Sequence, residues 1–377
     1  MRVVVVGGGI VGALTAYYLT ERGAKVTLLE KRYFTYGSTG RSTGSFTAQQ
    51  HHPVLVRAAL RSIERVKELK KRFIEQRIPF AYRFMDDESP HVAIAMSDGD
   101  AERLEKEALI WSSGGAEVLR ADPEKVTEYV PFLDPEAVRA AFITPKDYKA
   151  MPQPITWASI AAARLNGAET RTYEEVTKIE REDDAIAVRT SSGRKYVADA
   201  VVLAAGAATP KLASGVGDKF NDFVKPHYAG GLVTEPFRYV MKATVRVMRF
   251  SYRFTQTVRR EFVATIDDMG EENQSLDVSD SLKFIEKAST ITVKLMPVMR
   301  AVNILRVWGA YVDVTADRLP IIGWSLNAED AVYYAFGFND YGLSTSPYLA
   351  ELIADEVSKG VRHPDLESFR PARALKQ

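Results

Sequence analysis

Four valines, Val3 to Val6, run straight into Gly7-Gly8-Gly9-Ile10-Val11-Gly12, and the chain then reaches Glu30 after one helix and a second apolar run. An all-apolar, β-branched run of this length reads as a strand buried on both faces of a parallel sheet. Gly7 permits the tight turn, Gly9 lets the main chain approach a pyrophosphate, and Gly12 lets the next helix pack closely on the strand. Ile10, Ala13, Leu14, Tyr17 and Tyr18 recur at helical spacing and predict one apolar face. The positive end of that helix points at phosphate, Gly23 closes it, and Lys25 to Leu29 is the second strand. Glu30 stands where a carboxylate accepts hydrogen bonds from ribose hydroxyls and repels a 2′-phosphate. Strand, glycine turn, helix, strand and acid at this spacing predict an adenine dinucleotide site. Gly7, Gly9, Ile10, Val11, Gly12, Glu30, Lys31 and Arg32 are its candidate residues.

The chain has 377 residues, 46% of them hydrophobic, enough for two domains with substantial cores. Fifty Lys and Arg against 49 Asp and Glu give a net charge of +1, which argues against a nucleic-acid partner. No stretch reads as a transmembrane span, and the glycine-interrupted start lacks the layout of a signal peptide. A cytoplasmic location is expected, with peripheral membrane association left open. There is no cysteine, so disulfides, thiolate-bound metals, a redox cysteine pair and a cysteinyl cofactor link are excluded. No metal site is expected.

Tyr36 to Ser45 is polar and glycine-rich, and it follows the ribose-binding strand directly. It offers backbone amides, hydroxyls and a guanidinium to a polyanion, with Ser38, Thr39, Arg41 and Ser42 as candidates. Val54 to Gln76 predicts an amphipathic helix, and residues 80 to 150 read as a separate lobe of short strands with a helix near Ala101 to Ser112. Glu174 to Ile179 and Ala185 to Thr190 predict antiparallel strands, with Val176 facing the nucleotide. The apolar run from Asp199 ends in Ala205-Gly206-Ala207, small enough for the backbone to lie against a ligand at the carboxyl edge of a sheet. Strands are expected at Gly230 to Thr234 and between Thr244 and Ile266. Asp267 to Asp280 reads as an acidic loop, a lid or subunit contact, and Ser281 to Met299 as an amphipathic helix whose methionines pack. Ser344, Thr345 and Ser346 look like helix caps, with Pro347 in the first turn of a terminal helix ending at Gly360.

Together the opening motif, the Tyr36 to Ser45 block, the strand ending in Ala205-Gly206-Ala207 and the C-terminal segment resemble the superfamily of FAD-dependent D-amino acid, glycine and sarcosine oxidases. Arg306 to Tyr311, followed by Thr315 to Gly323, is similar to the family's run before its last strand, with Ala316 in place of the usual proline. Gly337 to Ser344 is similar to the family's final loop against the flavin pyrimidine. Sarcosine oxidase β-type subunits and archaeal dye-linked L-proline dehydrogenases are the nearer likeness. The resemblance implies an α/β (α+β overall) fold. A Rossmann-like FAD-binding domain, discontinuous in sequence (1–80, 151–215, 306–377), joins a second antiparallel-sheet substrate domain (81–150, 216–305).

It also implies FAD held without a covalent bond, since the position near Arg41 where some relatives carry a flavin-linked histidine holds arginine. Gly309, Tyr341, Gly342, Leu343 and Ser344 join Ala205 and Gly206 as cofactor-binding candidates, the helix end at 342–344 stabilising negative charge at the flavin N1–C2=O edge. The implied reaction is hydride transfer from an amino acid or secondary amine to flavin N5, L-proline or sarcosine-like substrates first and D-amino acids next. Two expected cations are missing: the carboxylate-binding arginine is replaced by Val312 and the final-loop lysine by Ser344. Tyr252, Gln256, Arg306 and His51 are the candidates for the substrate site. The electron acceptor stays open among oxygen, a quinone, a dye and a partner subunit, as does homo- or hetero-oligomerisation. Two other readings share the architecture, an FAD-carrying electron-relay subunit and a 2-hydroxy acid dehydrogenase.

Overall fold

A computed structural model of the chain describes residues 1–84, 87–182, 185–220, 222–238, 240–248, 251–266, 282–328 and 330–375. The valine strand, Arg2–Val6, lies at the heart of a six-stranded sheet, between Lys25–Leu29 on one side and Ala200–Leu203 on the other. Both neighbours run parallel to it, so both of its faces are covered by other layers, which is why no polar residue interrupts the valines. Val332–Phe336 pairs in parallel beyond Ala200–Leu203, and Ile321–Trp324 closes that edge antiparallel. Glu169–Arg171 forms the other edge.

The helix after the glycine turn, Ile10–Glu21, is more enclosed than its spacing predicts. Ten of its residues are buried rather than one face, because the helices Pro152–Leu165 and Gly342–Lys359 flank it against the sheet. Pro53–Glu75 follows the predicted amphipathic pattern, with Leu55, Ile63, Val66, Leu69 and Phe73 buried. The strand predicted from Glu174 begins at Val176 and pairs antiparallel with Ala185–Thr190.

An eight-stranded sheet forms the second layer. Its order is Ile304–Thr315, Val224–Pro236, Glu261–Ile266, Tyr252–Gln256, Thr244–Val247, His91–Ala95, Ala140–Thr144 and Leu119–Ala121. All neighbours are antiparallel except Thr244–Val247 with His91–Ala95, which are parallel. Ile304–Thr315 pairs with Val224–Pro236 along nearly its whole length, so residue 306 falls inside a strand of this sheet. Behind the sheet, Leu282–Leu295 and the turn Pro297–Ala301 bring Phe284, Met296 and Met299 into a core with Tyr252, Phe254 and Phe262. The acidic segment Asp267 to Asp280 lies outside the described residues.

The terminal helix starts earlier than its hydroxyl residues suggest. Gly342 opens it, Tyr341 precedes it without a side-chain cap, and Pro347 sits inside it. Ser344 is not a cap; its hydroxyl accepts from the Thr47 amide and donates to the Ser45 carbonyl, tying the helix to the loop after the glycine-rich block. No helix among the described residues is long and apolar enough to cross a membrane.

Candidate active site

A cleft of about 420 Å³ lies where the carboxyl ends of the parallel strands meet the eight-stranded sheet. At its nucleotide end the glycines are sterically obligatory. Gly7 has φ +113°, and a Cβ there would stand 2.2 Å from the Ala204 carbonyl oxygen. A Cβ on Gly12 would stand 1.9 Å from the Gly7 carbonyl oxygen, so Gly12 serves helix–strand packing and does not itself line the cleft. Above this turn the Thr39 hydroxyl accepts the Ile10 amide at 3.1 Å. The Glu30 carboxylate is oriented by two backbone amides, Gly8 at 2.7 Å and Arg32 at 2.9 Å. Arg41 donates to the Gly37 carbonyl and lies 4.9 Å over the Tyr36 ring.

Gly7, Gly9, Ile10, Val11, Glu30, Lys31, Ser38, Thr39, Arg41, Ser42, Val176, Ala205, Gly206, Tyr341, Gly342, Leu343 and Ser344 all line the cleft. Arg32 does not; its side chain is exposed and lies over the Tyr36 ring, and its amide holds Glu30. Gly309 is buried within its strand opposite Gly230, and it is Gly230 that reaches the wall.

The large sheet walls the second half of the cleft with residues of the strands Val224–Pro236 and Ile304–Thr315 and with members of one transverse row. Register places Ala93, Arg246, Arg253, Thr265, Gly231 and Trp308 side by side on successive strands. Side chains in such a row share a face. Arg253, Thr265 and Trp308 line the cleft. Trp308 fits because Gly231 has no side chain: a Cβ there would stand 2.4 Å from the indole. The indole N–H donates to the Arg41 carbonyl at 3.2 Å, tying the sheet to the glycine-rich block.

Arg253 is the cation that sequence reasoning missed. It is 7% exposed, pairs with Asp340 of the final loop at 2.7 Å, and lies 4.8 Å over the Tyr341 ring. Arg246, its neighbour across the strands, is bound to Glu107 at 2.6 Å. The Tyr341 hydroxyl is buried, has no hydrogen-bond partner among the described residues, and its pKa is pushed up to about 12 by burial. It is therefore a neutral donor.

Tyr252 and Gln256 do not reach the cleft. They occupy the opposite face of the strand that carries Arg253. Tyr252 binds the Thr292 hydroxyl in the core, and Gln256 accepts from the Met241 amide and donates to the Phe237 and Arg260 carbonyls. Arg306 is exposed at the open end of its strand and lines nothing in the cleft. His51 stands behind the wall, edge-on to Tyr341 with ring centroids 5.1 Å apart. Burial, then the Arg246 charge, hold its pKa below the usual histidine range, so the imidazole is neutral. The signal for Arg253 was an arginine set between two aromatic residues, Tyr252 and Phe254, within a strand, because a buried cation needs a partner and a purpose.

Residues 2–356 match the DAO family, described as FAD dependent oxidoreductase. The chain belongs to this family. It is 24% identical over 376 residues to glycine oxidase of Geobacillus kaustophilus, covering 99% of this chain and 97% of that one. It is 25% identical to the sarcosine oxidase β subunit of an Arthrobacter species, covering 99% and 92%. The crystal structure of L-proline dehydrogenase from P. horikoshii superposes with a TM-score of 0.88 at 28% identity, covering 99% of this chain and 97% of that one.

The cofactor of this DAO-family flavoenzyme is FAD, and the cleft fits it. The glycine turn leaves backbone amides at a helix N-terminus for the pyrophosphate, and Glu30 is fixed for a ribose. At the far end the amides of Gly342, Leu343 and Ser344, first in their helix, have no intrahelical acceptor and line the wall. The enzyme is a flavin-dependent amino acid or amine oxidoreductase.

Proposed function

We propose that this enzyme oxidises an amino acid carrying a primary or secondary amine, with L-proline and sarcosine-like compounds first and D-amino acids next. The observation that carries this reading is the buried Arg253–Asp340 pair in the cleft wall, beside the free hydroxyl of Tyr341. A guanidinium that is rigidly held at 7% exposure binds a carboxylate strongly because little solvent competes. The Tyr341 hydroxyl donates a second hydrogen bond to the same carboxylate. Asp340 neutralises Arg253 in the free enzyme, so a zwitterion that adds no net charge is favoured over a simple anion.

Bound flavin supplies the hydride acceptor. In the proposed reaction the bound zwitterion first gives its ammonium proton to solvent; the substrate Cα–H bond then breaks as a hydride leaves, and the freed nitrogen lone pair forms the C=N bond. The residues of the cleft orient that carbon, exclude water and carry no proton in the step. Similarity to glycine oxidase, to a sarcosine oxidase β subunit and to L-proline dehydrogenase supports this substrate class.

The test is anaerobic bleaching of the oxidised flavin band, at about 450 nm, with L-proline, sarcosine, D-alanine and matched 2-hydroxy acids. Bleaching by amines is expected. Bleaching by hydroxy acids alone, or by none of them, overturns the reading. Arg253→Gln should lower kcat/KM by roughly 100-fold or more, the loss expected for breaking a buried charge-paired contact. Benzoate, a carboxylate that cannot be oxidised, should perturb the flavin spectrum of the wild type and not of Arg253→Gln.

A further inference from the structure

Asp313 is a buried carboxylate without a cation. It sits near the end of strand Ile304–Thr315, is 6% exposed, and lines the cleft between the small residues 205–208 and the loop that begins at Gly337. One of its oxygens accepts the Gly337 amide, and the other lies 3.9 Å from where a Cβ on Gly206 would be. No lysine, arginine or histidine among the described residues forms an ion pair with it. The neighbouring elements explain why. Residues 206–208 carry no charge, Lys225 and His227 of the paired strand are exposed, and Asp340 of the final loop is committed to Arg253. Burial holds the Asp313 carboxyl up to about 6, and the amides of Gly337 and Asp313 only partly offset this.

A carboxylate in this position is costly unless a donor satisfies it. Lys211 of the adjoining helix Thr209–Ser214 also lines the cleft but is exposed and forms no ion pair with Asp313, so a neutral donor suits the acid. The donor must also come from the occupant of the cleft, since Asp313 is part of its wall. The pyrophosphate of FAD is ruled out because it would repel the acid. Of the cofactor's neutral donors, the adenosine belongs at the Glu30 end and the ring N3–H at the Gly342–Ser344 end, which leaves a hydroxyl of the polyol chain between the phosphates and the ring.

We propose that Asp313 is a cofactor-binding residue that accepts a hydrogen bond from a ribityl hydroxyl of FAD. The wall opposite the glycine turn thus grips the flexible middle of the cofactor and sets where its ring lies. This rests on the family's FAD and not on the choice of substrate, so it stands or falls apart from the reading above.

The experiment uses apoprotein and measures FAD affinity by quenching of flavin fluorescence between pH 5 and 8, with 2′-, 3′- and 4′-deoxyribityl FAD as probes. Hydrogen bonds to a charged group are worth ~10-fold or more in affinity. One deoxy analogue should therefore bind the wild type about 10-fold more weakly than FAD, and Asp313→Asn should abolish that difference. A hydroxyl donor favours the ionised acid, so wild-type affinity should rise between pH 5 and 7, and the rise should vanish in Asp313→Asn. Equal binding of FAD and all three analogues to the wild type overturns the proposal, as does tighter binding at pH 5 than at pH 7. The wild-type measurements need no variant, so they decide the matter even if Asp313→Asn does not fold.

Discussion

His91 and Asp147 are buried together at 2% and 1% exposure, with Nδ1 and Oδ2 3.5 Å apart. Burial drives Asp147 up to about 7, against the pull of the Thr144 and Thr47 hydroxyls and the Ala48 amide. Burial drives His91 down to about 3. Because folded Asp147 binds its proton more tightly than the unfolded chain does, its contribution to stability is complete below pH 3.8 and is lost as pH rises through about 7. Folded His91 binds its proton more weakly, so its contribution is complete above pH 6.5 and is lost as pH falls toward 3. Between these limits the two slopes oppose and nearly cancel. Asp147→Asn should remove one of them, so that stability falls on acidification from pH 6.5 to 4 by up to about 1.4 kcal/mol per unit more than in wild type. His91→Asn should tilt the other way, gaining stability over the same interval. Urea unfolding at several pH values checks both. Identical pH slopes in all three proteins would refute the compensation.

The terminal helix shows how an element accommodates a residue that local rules place elsewhere. Pro347 has no N–H to continue the ladder, and its ring crowds the preceding turn. Ser62 of the helix Pro53–Glu75 braces the turn around the proline: its hydroxyl donates to the Thr345 carbonyl at 2.9 Å and accepts the Tyr348 amide at 3.1 Å. Ser62→Ala should remove both contacts and cost roughly 0.5–1.5 kcal/mol, measured by urea unfolding. A cost below a few tenths of a kcal/mol would show that the helix closes without it. The sequence pattern could not reveal this contact, because 286 positions separate its partners. The strand Tyr252–Gln256 was opaque for a different reason. All five of its residues are buried, so alternation carries no label for which face meets the core. Tyr252 and Gln256 were the expected wall and Arg253 is the actual one. A register slip of one residue exchanges those faces.

At the scale of the molecule, what was legible is what is local. The glycine turn, the helix after it and the acid at Glu30 are fixed within thirty residues by steric limits that sequence spacing expresses directly. The sheet wall of the cleft takes Arg253, Thr265 and Trp308 from a row across strands, and that row's register is set by pairings that composition does not record. The cleft therefore lies between a part of the fold written locally and a part assembled at long range. Its lining runs from Val6 in the six-stranded sheet, through Arg253 and Trp308 of the eight-stranded sheet, to Ser344 of the terminal helix. A ligand that touches all three stabilises them together. FAD present at 100 times its dissociation constant should add about 2.7 kcal/mol to unfolding, which corresponds to a rise of about 3 °C in the melting temperature for a chain of this size. Scanning calorimetry of apo and reconstituted protein tests this. Reconstitution should move a single transition upward, because the shared ligand spans both sheets. If FAD instead splits the transition, shifting one part and leaving the other at its apo temperature, the two sheets unfold independently and the cleft does not couple them.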